Sequence, residues 1–151
     1  MKKRFKSIFL IFTTFILAVI IYDHRYNLEF KYHVFGYDKK LFDGDFLHPA
    51  YAYLKKNKLI GIEYISNPEC GKTNRKYFFD DKENLNRIIY EIDFFSKHCD
   101  EKKDSLYIIK RENDDILIHE KNGGEINNVE LEKMMSSFNL KKFKTKIKTW
   151  K

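Results

Sequence analysis

Gly71-Lys72-Thr73 matches the end of the phosphate-binding signature G-x-x-x-x-G-K-[ST], in which the backbone N–H groups of a glycine-rich turn wrap a nucleotide's phosphates. The first glycine of that signature would fall at position 66, which is Ser66. The turn must also open a helix. Instead, the segment from Asn74 to Asp80, "NRKYFFD", lacks helical periodicity and carries three aromatics, as a strand does. No nucleotide site is expected. Asn67, Pro68 and Gly71 are turn formers, so the segment is read as a turn that carries Cys70.

Cys70 and Cys99 are the two cysteines of the chain. In an exported domain an even count reads as a disulfide. Such a bridge would close a loop of 28 intervening residues, which the chain-entropy view values at roughly 3–4 kcal/mol. Unpaired structural thiols are the plainer alternative. A zinc site would enlist His98, but structural zinc wants four ligands in close pairs.

No other set of residues has the spacing of a catalytic or metal site. His24, His33, His48, His98 and His119 are scattered. Asp43-Gly44-Asp45 lacks the further acidic positions of a calcium loop. Asp80-Asp81 and Asp114-Asp115 sit where a helix cap and a turn are expected. G-x-S-x-G and H-E-x-x-H do not occur. No catalytic, cofactor or metal residue is therefore assigned. An enzyme with an unrecognised active site stays as the alternative, because catalytic sets are defined by geometry.

The N-terminus sets the compartment. Residues 1–7 carry four positive charges and no acid, and residues 8–22, "IFLIFTTFILAVIIY", carry no charge. A helix of that run is about 22 Å long, short of the roughly 30 Å hydrocarbon core, and is lengthened by the residues before it. Ala18 is the only small residue late in the run, and no suitable cleavage site follows Tyr22. An uncleaved transmembrane anchor is expected ahead of a cleaved signal peptide. The basic cluster stays in the cytoplasm. Residues 23–151 then form an exported, periplasmic domain of a single-pass protein of a bacterial inner membrane.

The net charge of +7 comes from the two ends. Four basic residues lie in the first seven positions and six in the last eleven. The remaining 19 face all 22 acids, which lie between Asp23 and Glu132. A nucleic-acid protein shows a basic face on its folded body, so nucleic acid is not an expected partner.

Local patterns fill in the domain. Glu29–Tyr37 alternates as a strand. Tyr51–Leu54 and Leu59–Ser66 flank a polar turn as a hairpin, with Lys76–Phe79 as a third strand. Leu85, Ile88, Ile89, Ile92 and Phe95 recur at helical spacing after Asp80 or Asp81. Ser105–Arg111 and Ile116–Glu120 are strands around a turn. Val129, Leu131, Met134, Met135 and Phe138 mark a second helix. The tail from Phe143 alternates with lysines, either as an edge strand or as a basic tail in contact with anionic lipid. The expected fold is α+β: a transmembrane helix, then one small domain with a mainly antiparallel sheet and two helices, with a ferredoxin-like core as a candidate arrangement.

One anchor, one small aromatic-rich domain, one disulfide and no motif chemistry point to a non-catalytic membrane protein whose exported domain binds another protein. A toxin neutralised by an immunity protein, or a component of an envelope assembly, would be its partner.

Overall fold

The computed structural model describes residues 2–94, 105–112 and 115–121. The architecture is α+β, and the chain divides into two compact units, Met1–Phe35 and Gly36–Lys151.

The first unit holds two helices, α1 (Lys2–Asp23) and α2 (Arg25–His33). Phe9 to Tyr22 is apolar on every face of α1. Thr13 and Thr14 fit because each hydroxyl donates back to a carbonyl of the preceding turn, Thr13 to Phe9 at 2.8 Å and Thr14 to Leu10 at 2.7 Å. Among the described residues no single helix is long and apolar enough to cross a membrane. The pair Ile8–Asp23 and Arg25–His33, bent by 68° at His24, passes on length and composition together. The expected strand over Glu29–Tyr37 is instead α2 and the turn after it. Phe30 and Val34 suit either period. In the helix they fall one turn apart on one buried face, and Tyr32 points away.

Among the described residues the second unit holds a seven-stranded antiparallel meander in which each strand pairs with its neighbours in sequence. The strands are β1 (Asp38–Asp43), β2 (Ala50–Lys55), β3 (Lys58–Ser66), β4 (Gly71–Phe79), β5 (Leu85–Phe94), β6 (Ser105–Glu112) and β7 (Asp115–Lys121). The expected hairpin is β2–β3. Its turn residues Lys56 and Asn57 both have positive φ, as the tight turn that matches strand twist requires.

The predicted helix from Leu85 is β5. Ile88 and Ile89 are both fully buried, one on each face of the sheet, which erases the alternation that marks a one-sided strand. Asp80 caps no helix. Its carboxylate instead accepts from the Lys82 and Asn84 backbone N–H groups, both at 2.8 Å, and shapes the β4–β5 turn. With strands on both sides of that turn, the helix–strand order of a ferredoxin-like core is absent there. The expected second helix over 127–138 and the basic tail lie outside the described residues, as does Cys99.

Gly71 and Lys72 open β4, with Thr73 opposite Ser66 and Ile92. No helix follows them, as the failed phosphate signature implied. Gly71 serves packing: a Cβ there would stand 2.3 Å from the Asp93 carbonyl oxygen.

The core follows the register. Ala52, Ile62, Tyr77, Ile88 and Ile109 are paired in one row from β2 to β6, and all are buried.

Candidate functional site

The row next to this core has a different chemistry. Its register runs Ala50, Tyr64, Arg75, Tyr90, Tyr107 across β2 to β6. Each strand contributes one residue, and alternation sends all of them to the same face. From Tyr64 onward every member is half-buried, and the three tyrosines pack against the core.

Arg75 lies between two rings. Its guanidinium carbon is 5.5 Å from the Tyr64 ring centroid and 5.7 Å from that of Tyr90. Tyr90 stacks on Tyr107 at 5.9 Å, and Tyr64 meets Tyr77 edge-on at 5.6 Å. Burial pushes the Tyr64 phenol up to about 12; Tyr77 and Asp43 add to this, and the Arg75 charge opposes it. Tyr64 therefore stays a neutral hydroxyl at any ordinary pH. Among the described residues no carboxylate ion-pairs with Arg75. The strip thus combines half-buried aromatic rings with a guanidinium placed between two of them.

The opposite face carries a second polar group of quite different character. Glu63 accepts from the Tyr53 hydroxyl at 3.2 Å and from Asn74 Nδ2 at 3.1 Å. Lys76, 1% exposed, donates to Glu91 in a close ion pair. Burial, then the Glu63 charge, holds the Tyr53 phenol far above its ordinary value. Most of these donors and acceptors pair with one another inside the sheet, the buried Asn74 Oδ1 being the exception, so the group is structural.

The loop from Gly44 to Pro49 also spends its polar groups internally. Asp45 accepts from the Leu47 and His48 backbone N–H groups at 2.9 and 2.7 Å, and His48 Nδ1 lies 2.8 Å from the Ser66 hydroxyl. Asp45 is thus a turn residue, and Asp43 ends β1 with its carboxylate accepting from the Gly44 N–H at 2.9 Å. Among the described residues no group of three or more His, Cys, Asp or Glu side chains is placed to hold a metal ion.

Cys70 is half-buried directly before β4. Gly71 lies opposite Phe94, so β5 ends beside Cys70, and Cys99 follows five residues later in the chain.

None of the strip residues is marked by a motif. Tyr64, Arg75, Tyr90 and Tyr107 lie far apart in sequence, and only the strand register brings them together. The available signal was compositional: strands with tyrosine on the face that also carries the core. Comparison with known proteins finds no matching family model, no matching curated sequence and no matching solved structure.

Proposed function

We propose that this chain is a membrane-anchored binding protein of the bacterial envelope, and that the Tyr64–Arg75–Tyr90–Tyr107 strip is where its domain meets a partner protein. One observation carries the reading: tyrosine and arginine, the residue types that dominate binding hot spots, are ranked half-buried across adjacent strands, and among the described residues no carboxylate pairs with the arginine. A partner surface with an acidic residue among apolar ones would complement it. A toxin held by an immunity protein and a subunit of an envelope assembly both fit that description.

The anchor is the uncharged run 8–22 within α1, about 22 Å long at 1.5 Å per residue and lengthened toward the hydrocarbon core by the residues before it. The basic residues of the first seven positions favour a cytoplasmic N-terminus and a periplasmic sheet unit. That compartment also supports a Cys70–Cys99 bridge. Five residues of extended chain reach roughly 17 Å, ample to bring Cys99 back to Cys70.

Affinity capture from solubilised membranes tests the reading, with the native chain beside the Arg75→Ala and Tyr90→Ala variants. A specific envelope protein or toxin that is retained by the native chain and lost from both folded variants supports it. Retention of the same set of proteins by all three removes the strip from the interface.

A further inference from the structure

The second helix presents two apolar faces. Phe30 and Val34 make the buried one. Leu28, Tyr32 and Phe35 follow i, i+4, i+7 and make the other, which is open: Tyr32 is 87% and Phe35 81% exposed. Val34 and Phe35 continue the turn, since their N–H groups donate to the Phe30 and Tyr32 carbonyls at 3.0 and 3.2 Å. Arg25 and Lys31 flank the open stripe on either side. An exposed aromatic stripe with cationic borders is the pattern of a helix that lies in a membrane interface.

The bend supplies the second observation. It comes immediately after the apolar run, and it turns α2 by 68° from α1. A helix so turned lies about 20° from the membrane plane when α1 runs along the normal. The bend is braced. Arg25 donates to the Tyr22 carbonyl at 2.7 Å and to the Tyr26 hydroxyl at 3.1 Å. Its guanidinium carbon lies 4.0 and 4.3 Å from the centroids of those two rings. Tyrosine rings that flank an arginine suit the headgroup level, where an amphipathic ring has one end in hydrocarbon and the other in water.

We propose that α2 is an interfacial helix. Leu28, Tyr32 and Phe35 dip into the bilayer at the headgroup–acyl boundary, and Arg25 and Lys31 lie level with the lipid phosphates. The proposal rests on the reading of α1 as an anchor. The open stripe begins six residues after the exposed apolar run of α1 and is bordered by cations that match lipid phosphates, which selects lipid as its occupant.

Depth-resolved quenching in the full chain tests this. Trp150, the only tryptophan, is replaced by Trp150→Phe. A single indole is then introduced by Tyr32→Trp or Phe35→Trp, both at exposed positions that tolerate it, or by Leu17→Trp as the reporter of α1. Each protein is reconstituted into phosphatidylcholine vesicles with bromines near the glycerol end or near the methyl end of the acyl chains. At positions 32 and 35 the shallow bromines should quench about twofold more than the deep ones, and at position 17 the order should reverse. Stronger deep quenching at 32 and 35 would make α2 part of the span and overturn the proposal. No quenching at 32 and 35, with position 17 quenched, would overturn it and leave the anchor standing. Loss of quenching at all three positions would sink the anchor reading and this proposal with it.

Discussion

Arg75 and Lys76 are neighbours on β4, and their environments are opposite. Lys76 is buried and ion-paired with Glu91 on one face of the sheet. Arg75 is half-buried on the other, held between the Tyr64 and Tyr90 rings. A buried ammonium needs its counter-ion, because desolvation without one costs several kcal/mol. A guanidinium is more weakly hydrated and stacks on aromatic faces, so it remains partly dry without a carboxylate. The same charge is therefore neutralised by a carboxylate at one position and left, among the described residues, without one at the next.

The largest effect concerns what holds the head of that strand. With Cys70 bridged to Cys99, reduction should lower stability by roughly 3–4 kcal/mol, less where the native geometry is strained. Amide exchange should rise first at Gly71–Arg75, ahead of the Lys76 end. Thiol labelling under denaturing, non-reducing conditions, on protein taken from its native membrane, checks the bridge. Free labelling of both cysteines would remove it.

Next comes the contrast itself. Lys76→Met keeps the aliphatic stem but leaves the Glu91 carboxylate without its cation, and should cost about 3 kcal/mol in urea denaturation. Adding Glu91→Gln should restore part of that. Arg75→Met, one residue earlier, should cost under about 1 kcal/mol. Equal costs for the two single variants would erase the distinction between the two cations.

Affinity should show the reverse order. Once a partner is identified, Arg75→Ala should weaken binding by about 2 kcal/mol, near thirtyfold, measured by calorimetry at constant salt. Lys76→Met, provided it is folded under the assay conditions, should change it little.

The smallest effect is a pH dependence. Below about pH 10 the Tyr64 phenol is neutral in both the folded and the unfolded chain. Between about 10 and 12 the unfolded chain has lost that proton while the folded chain retains it, so stability falls as pH rises through this window. Tyr64→Phe should make the fall shallower. Arg75→Met should move it to higher pH, because the arginine charge holds the phenol down.

Legibility in the sequence followed the number of buried faces. The β2–β3 hairpin was legible because Lys55 to Lys58 forms a polar break between two apolar runs, and the strands at Ser105 and Ile116 were legible for the same reason. β5 was not, because Ile88 and Ile89 are buried on opposite faces and mimic the i, i+3, i+4 stripe of a helix. Three isoleucines and a tyrosine within five residues, Ile88 to Ile92, were the contrary signal, since β-branched and aromatic side chains favour strands. α2 was misread for the converse reason: Phe30, Tyr32 and Val34 alternate, yet only the first and third share a face of the helix. The tyrosine–arginine strip could not be read at all. It depends on the register of three successive strand pairings, and a slip of one residue in any of them would send a member to the other face.

The meander has a kinetic consequence. Each strand finds its partner next to it along the chain, so each pairing after the first closes only a short connection, and loop-closure entropy stays small. Folding that proceeds through such local pairings belongs to the faster range for sheet proteins. Hairpins can zip in order from β1 without waiting for the C-terminal half of the chain. The longest closure lies between β5 and β6, where ten residues intervene. Formation of the Tyr90–Tyr107 contact across that gap is therefore expected to have the largest loop-closure cost among the described strand pairings.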